Sequence, residues 1–316
     1  MDNWTNIISK ATYDYIRDTE IDSLDDIKFV KTLNDIILSE KIINFHYKYN
    51  HKVSLKESNK LVEEFMNSIS NEYLEYYRKR KDENIFVYDY DLLEDYPYSS
   101  YDNISDKRII YIPIYNNIED SYSIVHELIH DMNLDLTGEN IARYMFTESL
   151  SILGEMLFED FLKNKHIVQY KNPTNYSLYS VNKKAFEVDF NIKLLESYLN
   201  NNYLAKDSII KILKNYTSNQ VEELNEVLSR IIENEELTYE NESRYIIGFL
   251  IATYMYDRIR QNKNNINEFF ELNDMLSSCE TDDILNYLDL DYNDYELTND
   301  SYKKLKMSYK NYLKSR

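Results

Sequence analysis

The chain has 316 residues, 43% of them apolar, enough to bury a substantial core as one large domain or two moderate ones. A formal charge of −20 argues against a phosphate-neutralising surface, and so against nucleic acid or anionic membrane partners, and suits solubility or cationic peptides. Only three glycines and three prolines leave few breakers, so long helices with polar turns are expected and a β-sandwich or doubly wound sheet is not.

The single cysteine, Cys279, excludes an internal disulfide and fits a reducing compartment. The N-terminus has neither a basic n-region nor an apolar h-region, and no run approaches the roughly 18–20 apolar residues of a membrane span. The expectation is a soluble, cytoplasmic protein, with leaderless export still compatible.

Ser23 and Asp26 read as a helix start, followed by Ile27, Val30, Leu33 and Ile37 at helical spacing. Ser54 to Glu57 is a capping box, and the helix behind it is expected to run to the cationic cluster at 78–81. His46 and His51 read as surface or packed side chains. Residues 1–82 form an N-terminal helical section.

At 84 the period changes. Residues 84–90 and 108–115 read as strands around a polar loop at 95–106, and Pro113 marks the second as an edge strand or as ending there. An edge strand at this place would let an extended peptide add to it. Asn116 and Asn117 make a turn, Asp120 or Ser121 caps, and a helix follows to about Asn133. Thr137 caps a longer one at 138–163. Further helices are expected at 182–202, 206–216, 218–234, 240–261, 264–278 and 299–314. The fold class is mainly α, with a core at 83–170 that holds a small β-sheet, flanked by helical sections at 1–82 and 171–316; packing of all three as one compact domain is equally compatible. Asp289 to Asp300 begins like a calcium loop but has Asp294 at its sixth position and Asp300 at its twelfth, so it reads as an acidic connection.

The chemistry concentrates in Ser123–His130, which contains H-E-x-x-H. On a helix His126 and His130 stand one turn apart on one face, where both imidazoles can bind one zinc ion. Glu127 is then placed as general base for an attacking water. Zinc needs a third protein ligand and an open position. His166 and Cys279 are poorly placed in sequence, and no metzincin continuation follows, which leaves a glutamate of the next helix. There Glu148 sits on a helix that is apolar on both sides, so its carboxylate needs a partner, and Glu155 shares its face.

H-E-x-x-H followed by E-x-x-S-x-x-x-E resembles the zinc oligopeptidases of the thimet oligopeptidase and oligoendopeptidase F type. The resemblance implies His126, His130 and Glu148 as ligands of one zinc, Glu127 as base, and Ser151 and Glu155 as supporting residues. It also implies a helical fold with the site deep in a channel. Arg244, Tyr245 and the segment to Ala252 are similar to the family's downstream stretch, in which a tyrosine stabilises the oxyanion. Residues from Phe269 to Leu313 are similar to its closing helices. Two departures stand out: the chain is shorter, implying a reduced lid, and no histidine precedes Tyr245, leaving the oxyanion to Tyr245, a neighbouring tyrosine or Arg244. The leading expectation is a zinc metallopeptidase of the Glu-ligand class acting on peptides or unfolded protein. The competing ones are a non-catalytic zinc-binding or regulatory module on the same scaffold and an effector or toxin protease with one target.

Overall fold

The computed structural model describes residues 3–21, 23–24, 27–40, 52–94, 96–102, 107–137, 141–165, 176–262, 266–275, 279–293 and 296–315. In chain order these form α1 (Asn3–Asp18), α2 (Lys28–Ser39), α3 (Leu55–Ile69), α4 (Asn71–Asp82), β1 (Phe86–Asp89), β2 (Tyr98–Asp102), β3 (Lys107–Pro113), α5 (Ile118–Thr137) and α6 (Ile141–Asn164). Then come α7 (Tyr176–Asn201), α8 (Lys206–Leu213), α9 (Ser218–Asn234), α10 (Tyr239–Gln261), α11 (Ile266–Met275), α12 (Thr281–Tyr287), β4 (Tyr292–Asn293), β5 (Glu296–Leu297) and α13 (Asn299–Ser315). The fold is mainly α with a small three-stranded sheet, as the composition predicts. None of the described helices is long and apolar enough to cross a membrane.

The described residues fall into two compact units. One takes its parts from 1–44, 178–254 and 285–315. Within it Phe249 of α10 meets Tyr309 and Tyr312 of α13 edge-on, and Asn34 of α2 donates to the Ala185 carbonyl of α7. The second takes its parts from 45–177 and 255–284, and holds the sheet with α3 to α6. Its core is aromatic: Phe158 of α6 packs against Phe65 of α3 and Tyr122 of α5, all three buried.

Several local expectations change. Helix α2 starts at Lys28 behind Ile27, which makes no side-chain cap, and Asp26 lies outside the described residues. Burial of Phe29, Leu33, Ile36 and Ile37 sets this helix where capping does not. The Ser54–Glu57 capping box is present in both directions, but its helix stops at Ile69. Ser70 is extended and its hydroxyl accepts from Tyr73 N, starting α4 afresh, because a serine that competes for backbone partners favours a cap over a helix interior.

The sheet corrects the edge-strand reading. Its order is β1-β3-β2, with β3 parallel to β1 and antiparallel to β2. Strand β3 is therefore central, Pro113 is its last residue, and the expected polar loop contains β2. Ile110, Tyr111 and Ile112 are buried, which explains the continuous apolar run of a central strand. The outer edge beside β3 belongs to β2.

Helix α5 is capped by Asn117, whose side-chain oxygen accepts from Glu119 N at 2.6 Å; Asp120 accepts instead from Tyr115 N. It runs on to Thr137, so the residue expected to start the next helix is the last of this one. Of the expected helix at 264–278 the described part is α11, and α12 follows it. The acidic connection at 289–300 holds the β4–β5 hairpin, and Lys304 donates to the Asp289 carboxylate at 2.6 Å.

Candidate metal centre

Helix α5 buries Ile124, Val125, Leu128, Ile129 and Met132 as one stripe, which turns His126 and His130 onto its flank. Helix α6 packs against it closely at Gly154, where a Cβ would overlap the Ile129 side chain. That approach brings the α6 carboxylates to the α5 imidazoles. Glu148 reaches both: its oxygens lie 3.4 Å from His126 Nε2 and 3.6 Å from His130 Nε2. The two Nε2 atoms are 2.9 Å apart. Among the described residues, His126, His130 and Glu148 are the one set of three metal-type donors that converges, all within 4.8 Å of one another.

This donor set, two imidazole nitrogens and one carboxylate, suits a catalytic zinc site. The surroundings fit as well. Glu155, 3% exposed, lies 2.7 Å from His126 Nδ1, so that Nδ1–H donates to it and the Nε2 lone pair faces the cluster. Ser151 Oγ donates to the His126 carbonyl at 3.1 Å, tying α6 to the backbone of α5 at the same residue.

Burial opposes a charge on His126, but its hydrogen bonds to Glu148 and Glu155 outweigh that and hold its pKa well above the usual imidazole value. Burial likewise opposes ionisation of Glu148; the two histidines win and hold it well below the usual carboxylate range. Glu127 is the opposite case. It is 4% exposed, and burial pushes its carboxyl up despite the neighbouring histidines. A carboxyl shifted upward beside the donor cluster is suited to accept and hold a proton.

Three supports escaped the sequence reading. Ser99 of β2 donates to the Glu127 carbonyl at 2.7 Å, fixing the edge strand against α5. Asp131, the residue after His130, is 1% exposed and accepts from Arg80 Nε at 2.7 Å and Tyr76 OH at 2.8 Å. Arg108 of β3 donates to its carbonyl at 3.0 Å. Arg80, in the cationic cluster expected at a helix end, lies in the last turn of α4 and is buried and ion-paired. The available signal was an aspartate directly before Met132 of the apolar stripe, where a buried carboxylate needs a cation from elsewhere.

Arg244 and Tyr245 lie on α10 in the other compact unit. Tyr245 carries Lys184 Nζ over its ring, 4.8 Å from the centroid, and Lys184 also pairs with Glu242 at 2.6 Å. His46, His51 and His166 lie outside the described residues, and Cys279 is half-buried and apart from the donor cluster.

No protein-family model matches the sequence, and no curated protein matches it. Solved structures do. The chain is similar to a structure described as an oligoendopeptidase F, with a TM-score of 0.65 and 11% identity over 92% of this chain. It is similar to PZ peptidase A, solved with an inhibitor, with a TM-score of 0.60 and 12% identity over 97%. It is also similar to an oligoendopeptidase F from Bacillus anthracis str. Ames, with a TM-score of 0.54 and 12% identity over 98%. The chain spans 56–58% of those three structures. At these identities the likeness is one of fold, which is that of the oligoendopeptidase-type peptidases.

Proposed function

We propose that this chain is a zinc-dependent peptidase in which His126, His130 and Glu148 hold one zinc ion and Glu127 is the general base. The convergence of those three donor groups beside a buried glutamate carries the reading. It is supported by the fold it shares with oligoendopeptidase F and PZ peptidase A.

Zinc held there would polarise the scissile carbonyl and bring the pKa of a water to about 7. The remaining steps fall to the chain. His126 offers Nε2 because Glu155 holds the proton on Nδ1. Glu127 takes a proton from the attacking water, and the upward push of burial lets it keep that proton until the amine leaves. Glu127 then delivers it to the amine nitrogen as the C–N bond breaks. The peptide adds along the outer edge of β2, which Ser99 fastens to the Glu127 carbonyl. For the developing oxyanion the family resemblance implies Tyr245 or Arg244.

The test is Glu127→Gln. It should bind one zinc per chain like the parent while peptide hydrolysis falls by at least about 100-fold. A parent protein that binds zinc and cleaves nothing in a broad peptide library would sink the catalytic assignment. Glu148→Ala that still binds zinc with unchanged affinity would sink the ligand set.

A further inference from the structure

The eleven large apolar side chains exposed among the described residues are unevenly spread. Seven lie between Val87 and Tyr115, on the sheet and its connections. The most exposed is Leu93 at 83%, followed closely in the same connection by Tyr90 at 60% and Tyr96 at 57%. Exposed apolar side chains gathered in one place mark a binding surface more often than scattered ones do.

This connection is also built to hold one shape. The Asp89 carboxylate accepts from Asp91 N at 2.8 Å and Leu93 N at 2.7 Å, and from the Tyr111 hydroxyl of β3. Tyr111 OH in turn accepts from Glu94 N at 3.2 Å. Leu92 has a φ of 53°, a left-handed conformation unfavourable for leucine. Unfavourable backbone geometry and exposed apolar side chains in one braced loop point to use.

Its charge is as distinctive as its shape. Between Lys81 and Lys107 the sequence has eight acidic residues and no lysine or arginine. Asp91 and Glu94 are exposed beside Leu93. A surface of tyrosines, leucine and carboxylates complements a chain segment carrying lysine or arginine among apolar residues, since a cation can meet a carboxylate or a tyrosine face. The connection leads directly into the edge of β2. At about 3.3 Å per residue, Tyr96 stands within roughly 10 Å of Ser99, which touches Glu127.

We infer that Asp91, Leu93, Glu94 and Tyr96 form the recognition surface for the peptide, and that they select substrates carrying lysine or arginine beside apolar residues. This rests on the peptidase reading above, and it names the substrate class for the same site.

The test uses zinc-loaded Glu127→Gln protein, which should bind without cutting, and two fluorescein-labelled peptides. They share an apolar framework; one carries lysines and arginines, the other aspartates and glutamates at the same positions. By anisotropy the cationic peptide should bind at least tenfold more tightly. The double variant D91K/E94K should lose that preference, and Leu93→Ser should weaken the cationic peptide at least fivefold with an unchanged melting temperature. Equal binding of the two peptides, no measurable binding, or an unchanged preference in D91K/E94K would overturn the inference. So would a dimer in sedimentation that Leu93→Ser makes monomeric, since a second copy would then own the surface. Hydrolysis by the parent protein is read separately. A cationic peptide bound with preference but left uncut rejects the peptidase reading and supports the recognition surface; peptides cut regardless of charge do the reverse.

Discussion

His126 is held from three sides: Glu155 at Nδ1, Ser151 at its carbonyl, and Glu148 beside Nε2. Such an orienting carboxylate typically changes metal affinity by about 10–100-fold, so Glu155→Gln should weaken zinc binding by about that factor, measured by competition with a chromophoric chelator. Ser151→Ala should have a smaller effect, because the hydroxyl acts on the backbone alone. Tyr245 is the more exposed part of the assignment. If it donates to the oxyanion, Tyr245→Phe should lower kcat by about 100-fold with zinc binding unchanged; an unchanged kcat would leave the Lys184 contact as its role. His126, Glu127, His130 and Glu148 were legible because the motif spacing is local to two helices. Ser99 was not, since a serine in a polar segment says nothing until β2 pairs with β3.

At the scale of the element, α5 is fastened at its lower half by charge. Asp131 is buried between Arg80 of α4 and Arg108 of β3. Asp131→Asn leaves the buried Arg80 guanidinium with Glu83 as a counter-charge at 2.7 Å, so the loss should stay below the roughly 3–5 kcal/mol of stranding a buried charge. Urea unfolding should show that loss. Near the other end, burial raises the Glu119 carboxyl to about 7 against an ordinary value of 4.5. A carboxyl raised in the folded state binds its proton more tightly there than in the unfolded chain. Its contribution is therefore full below about 4.5 and is lost as pH rises through about 7. Glu119→Gln should accordingly raise the melting temperature more at pH 8 than at pH 5, and equal shifts at both would refute the buried carboxyl. The capping boxes at Ser54 and Thr217 are local and readable; the Ser70 break needed the competition between helix and cap to be weighed.

For the whole molecule, a ligand that binds only the folded chain stabilises it by mass action. Free zinc at 100 times its Kd contributes about 2.7 kcal/mol. With roughly 2–4 °C of melting temperature per kcal/mol for a body of 150–250 residues, excess chelator should lower the transition by about 5–10 °C. His126→Ala should melt at the same temperature with and without chelator. A parent protein indifferent to chelator would count against a zinc held by α5 and α6.

Composition alone determined the mainly helical class, because three glycines and three prolines leave helices little to interrupt them. Local spacing marked His126 and His130, one helical turn apart, as a pair, and the family resemblance singled out Glu148, with Glu155 two helical turns on. What only the tertiary structure decided is what meets across elements. It made β3 central and β2 the edge, because strand order depends on pairing that no single strand encodes. It made Arg80, read only as one of the cations at a helix end, a buried partner of Asp131, because the matching charge stands 51 residues away on another helix. It also set Leu93 and its neighbours on a braced, acidic loop that leads into β2, because the Asp89 and Tyr111 side chains close that loop across the sheet.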